Sequence, residues 1–84
     1  MTKGQFAHQH GYTTFEEMVE LSTAVCSLYG ELWLITRVEK QFLAWVDKHY
    51  DQPLGHFQTY EEAESCLVSL CKELCVLSQR LVDI

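Results

Sequence analysis

The residues able to do chemistry are few. Cys71 and Cys75 stand four apart, so on a helix their sulfurs share a face and offer two ligands to a soft ion such as Cu(I) or Zn²⁺. Cys66 falls on another flank, so further ligands have to come from Cys26, a histidine or a second chain. The competing reading is a small buried hydrophobe, the commoner role of a cysteine without partners, and it carries more weight here. His8 and His10 flank Gln9, and two imidazoles alone do not make a specific metal site. Glu39 and His49 recur at apolar spacing, but no Glu-x-x-His or His-Glu-x-x-His pattern accompanies them. Ser22, Ser27, Ser65, Ser69 and Ser78 have no paired base near them in sequence, and four scattered glycines make no phosphate loop. The sequence therefore points away from an enzyme and calls for no cofactor. The copper- or zinc-binding reading through Cys71 and Cys75 is the alternative function.

The elements that position these residues read as helices. Tyr60, Ala63, Leu67, Leu70, Leu74, Leu77, Leu81 and Ile84 form an unbroken apolar seam at three- and four-residue spacing, which places one helix at about 60–83. Thr59 with Glu62 suits its start. Thr13 or Thr14, with Glu16 or Glu17, marks an earlier start. From there Met18, Leu21, Val25, Leu28, Leu32 and Ile35 keep the same rhythm, which predicts a long helix at about 14–51. Gly30 lies inside that run and leaves the apolar phase undisturbed. Pro53 and Gly55 mark the turn between the two helices. Residues 1–12 lack periodicity and read as a flexible tail before a single helical domain, 13–84.

The expected fold is thus all-α: an antiparallel helical hairpin that dimerises into a four-helix bundle. A monomeric three-helix bundle broken at Gly30 is the alternative. Dimerisation follows from surplus apolar surface. Val19, Cys26, Tyr29 and Trp33 form a second track on the first helix, which one neighbour leaves uncovered. That track is the expected interaction surface, with Trp33 as an aromatic anchor. Thr14-Phe15-Glu16-Glu17 and Thr59-Tyr60-Glu61-Glu62 resemble each other, and Cys26 and Cys71 follow at the same offset. Helix-start grammar accounts for most of that match.

Charge and composition bound the function. Six Lys plus Arg against twelve Asp plus Glu give a net charge of −6. Arg37, Lys40 and Lys48 are the only loose cationic grouping, and acids interrupt it, so nucleic acid is not an expected partner. The most apolar stretch, residues 21–36, contains Glu31 and several hydroxyls, so no membrane span is expected. Residues 1–12 hold no apolar leader, which with four cysteines suggests reduced thiols in the cytoplasm. The functional expectation is a small non-enzymatic protein–protein interaction module of the adaptor, chaperone-like, immunity, antitoxin or inhibitor type. It acts as a homodimer on another protein.

Overall fold

The computed structural model describes the backbone of residues 1–82 and the side chains of residues 1–74. Two short helices, α1 (Lys3–Gln9) and α2 (Phe15–Glu20), precede four strands: β1 (Thr23–Leu28), β2 (Glu31–Val38), β3 (Gln41–Val46) and β4 (Gly55–Phe57). A 3-10 turn, Asp47–His49, follows β3, and a long helix, α3 (Tyr60–Val82), closes the chain. The strands form one antiparallel sheet in the order β1-β2-β3-β4. The fold is mixed α/β. It overturns the expected all-α hairpin, the four-helix bundle and the three-helix alternative alike.

Each helix start has a local cause. The Thr14 hydroxyl accepts from the Glu17 backbone N–H at 3.1 Å, satisfying a donor that α2 leaves free. Thr59 does the same for Glu62 at 3.2 Å at the start of α3. Thr2 and Gln5 complete a reciprocal capping box at α1. Residues 3–9, inside the stretch read as a tail, are therefore helical, and Phe6 and Ala7 on α1 are buried.

The long first helix stops at Glu20 because the chain turns into hairpins. Leu28 pairs with Glu31 and Val38 with Gln41, so each hairpin closes over two residues. Tyr29 and Gly30 both take positive φ, at 55° and 75°, as a tight turn matched to strand twist requires. Gly30 thus serves a reversal, with no helix to break. At the second turn Glu39 adopts φ 56°.

The sheet separates two apolar clusters. Leu34, Leu43 and Trp45 face α1 and α2, where they meet Phe6, Ala7 and Met18. Trp33, Ile35, Ala44 and Val46 face α3, where they meet Ala63 and Leu67. Tyr60, Leu70, Cys71 and Leu74 extend the second cluster along α3. The described part of the leucine seam of α3, as far as Leu74, therefore packs on a sheet and not on a partner helix, while the side chains of Leu77, Leu81 and Ile84 lie outside the described residues. No described helix is long and apolar enough to cross a membrane.

Candidate functional site

The residues proposed from sequence as one interaction track do not share a face. Val19 lies on α2 against the Phe6–Trp45 cluster. It lines an open cleft of about 380 Å³ with Lys3, Phe15, Glu16, Glu20 and Asp47. Lys3 Nζ stands 5.2 Å over the Phe15 ring at that cleft. Cys26 and Trp33 are on the other side of the sheet, paired across β1 and β2 beneath α3. Trp33 is only 7% exposed, so it is core. Its indole N–H is buried without an acceptor among the described residues. Tyr29 alone of the four stands out in solvent, at 68% exposure.

The cysteines also differ from the expected arrangement. Cys26 on β1 and Cys71 on α3 form a disulfide, spanning 45 residues. That bond draws Cys71 to the edge strand on the face covered by α3. The Cys75 side chain lies outside the described residues. Cys66 is a free thiol. Among the described residues, no three of His, Cys, Asp and Glu gather as a metal-holding group. His8 and His10 separate: His8 Nε2 meets the Thr13 carbonyl at 2.8 Å, and His10 stacks near His56. Glu39 sits in the second hairpin turn, whereas His49 pairs with Glu31 at 3.2 Å.

What the fold does assemble is an open sheet edge. Among the described residues β1 has β2 as its only strand neighbour, so its backbone donors and acceptors on the far side have no ladder partner there. Thr23-Ala24-Val25-Cys26-Ser27-Leu28 carries no charge, and charged residues are a common way to block strand addition at an edge. A β-bulge at Val25, between Ala24 and Cys26, is its one irregularity. The opposite edge, β4, is only three residues long, which itself limits pairing.

Both ends of β1 carry exposed apolar side chains. Leu21, just before the strand, is 64% exposed, and Tyr29 caps the other end. The left-handed backbone of Tyr29 is unfavourable for a bulky residue, by about 1–2 kcal/mol. An exposed aromatic held in that conformation is an outlier of the kind that gathers at recognition sites. Behind the strand, burial pushes the phenol of Tyr60 on α3 above its ordinary pKa, Glu64 beside it adds to the rise, and Thr23 offsets part. At the far end, Lys48 Nζ lies 3.8 Å from where a side-chain carbon on Gly30 would sit. Of these two exposed side chains the sequence reading singled out Tyr29, whereas the apolar rhythm assigned Leu21 to an inner face. The uncharged stretch before Tyr29-Gly30, with Thr23 and Val25 in it, was the signal that marks a strand instead.

Comparison with protein-family models, with curated proteins and with solved structures gives no match for the chain.

Proposed function

We propose that this chain is a small non-enzymatic protein–protein interaction module that works through its β1 edge. The observation that carries the reading is the uncharged free strand Thr23–Leu28 framed by exposed Leu21 and Tyr29. Strand addition to such an edge draws affinity from main-chain hydrogen bonds and specificity from side chains at its ends. The residues of the site are Leu21, Ala24, Ser27 and Tyr29. Val19, Cys26 and Trp33 support the fold around them. The cytoplasm is the proposed setting, in which Cys26 and Cys71 face each other as thiols and bond only where the surroundings oxidise them.

The test is quantitative. Tagged chain is used to capture proteins from native extract. Each captured protein is purified and its affinity measured by calorimetry against wild type and Leu21→Ser/Tyr29→Asn. Affinity falling at least tenfold in the double variant is expected, with far-UV circular dichroism unchanged. A partner bound equally well by both would remove β1 as the site.

A further inference from the structure

We propose that the occupant of the β1 edge is a second copy of this chain. The two β1 strands run antiparallel across a two-fold axis near Val25, and two four-stranded sheets become one of eight. The proposal rests on the interaction reading above and names its partner.

Three observations carry it. The first is the placement of the exposed apolar side chains. Leu21 and Tyr29 lie four residues to either side of Val25. Antiparallel exchange about that point brings Leu21 of each copy to the Tyr29 end of the other, so both contacts form twice. A foreign strand would have to supply matching apolar groups at both ends, whereas a second copy does so by symmetry.

The second observation is charge. Glu20 immediately precedes Leu21, and Lys48 reaches the Gly30 turn. The same exchange carries Glu20 of one copy to the Lys48 end of the other, again twice. Of the two acids at that end, Glu31 is already held by His49, and Asp47 accepts from the Leu32 backbone N–H at 2.9 Å. No charge on the strands themselves opposes the approach.

The third observation is the asymmetry of the two edges. β1 is six residues long and β4 three, so only β1 offers a ladder long enough to bind a neighbour. The bulge at Val25 leaves the backbone groups of Ala24 and Ser27 facing outward, so the ladder between copies pairs Ala24 of each with Ser27 of the other, about an axis between Val25 and Cys26.

The experiment is sedimentation equilibrium of the full chain from about 1 to about 500 µM. Wild type is expected to be dimeric within that range. Ser27→Lys puts a charge on each copy beside the axis and weakens the dimer at least tenfold. Tyr29→Asn suits the left-handed turn, so it raises the monomer's melting temperature while it lowers association. Those opposite directions separate a lost contact from a damaged fold. Lys48→Glu weakens the dimer, and adding Glu20→Lys restores it. A wild type that stays monomeric at about 500 µM overturns self-docking, and the interaction reading then stands or falls on the capture experiment. A dimer untouched by Ser27→Lys and Tyr29→Asn overturns it too, since the contact then lies on another face.

Discussion

Thr36 shows how much a single hydroxyl can hold. It is fully buried on β2, and the Trp45 indole N–H donates to its Oγ1 at 2.7 Å. Ser22 donates to the Met18 carbonyl, so the proton between Thr36 and Ser22 runs from Thr36 to Ser22. The chain Trp45–Thr36–Ser22–Met18 thus ties β3, β2 and the end of α2 together, with each buried donor satisfied. Thr36→Val keeps the shape and strands the Trp45 N–H. Urea unfolding is expected to show a loss of about 1–3 kcal/mol. Trp33 is the opposite case, because its N–H has no acceptor among the described residues. Trp33→Phe removes that orphan along with some apolar area, and the two effects offset to within about 1 kcal/mol. Tyr60 gives a pH signature. A phenol pKa raised on folding means that the protonated form is favoured in the native state. Its stabilisation is complete below the unfolded value of 10.0 and is lost as pH rises through the higher folded value. Tyr60→Phe has no proton to lose, so its stability falls less steeply above about pH 10 in alkaline unfolding curves.

Among the elements, α3 was legible and the central strands were not, for one reason. In the described part of α3 one face meets apolar neighbours, so Ala63, Leu67, Leu70 and Leu74 recur at helical spacing. β2 and β3 are covered on both faces. Leu34 and Trp45 point one way, Trp33 and Val46 the other, and the alternation that marks a half-buried strand disappears. An apolar run of that kind fits any period, and the three-four rhythm through Leu28, Leu32 and Ile35 was such a fit. The stronger signals were local: Tyr29-Gly30, and the β-branched and aromatic density of residues 32–38. The candidate site was legible only through Tyr29, because an edge exists only once strand order is known. The second hairpin yields a prediction at this scale. Glu39 holds φ 56° where glycine is at ease. Glu39→Gly is expected to stabilise the chain by about 0.5–1 kcal/mol, read as a rise of several degrees in melting temperature.

For the molecule as a whole, the sheet is a partition, and opposite ends of the chain close its two sides. The Cys26–Cys71 bond fastens the side covered by α3 to the free edge strand. Closing a loop of 45 residues stabilises by about 2–4 kcal/mol, chiefly by restricting the unfolded chain. Cys71→Ser is expected to lose that amount in oxidising buffer and to match wild type in reductant, by thermal unfolding in both. The partition also has a consequence in time. On the ribosome α1, α2 and all four strands are made before α3, and every strand pairs with the one made just before it. The nascent sheet is therefore closed on the Phe6 side while Trp33, Ile35, Ala44 and Val46 stay bare. That half-closed state ends only once α3 has been made and has left the ribosome, and making its 23 residues alone takes about 1–5 s at cellular rates. It is the interval in which the growing chain is most apt to stick to its neighbours, and the arrival of Ala63 and Leu67 ends it.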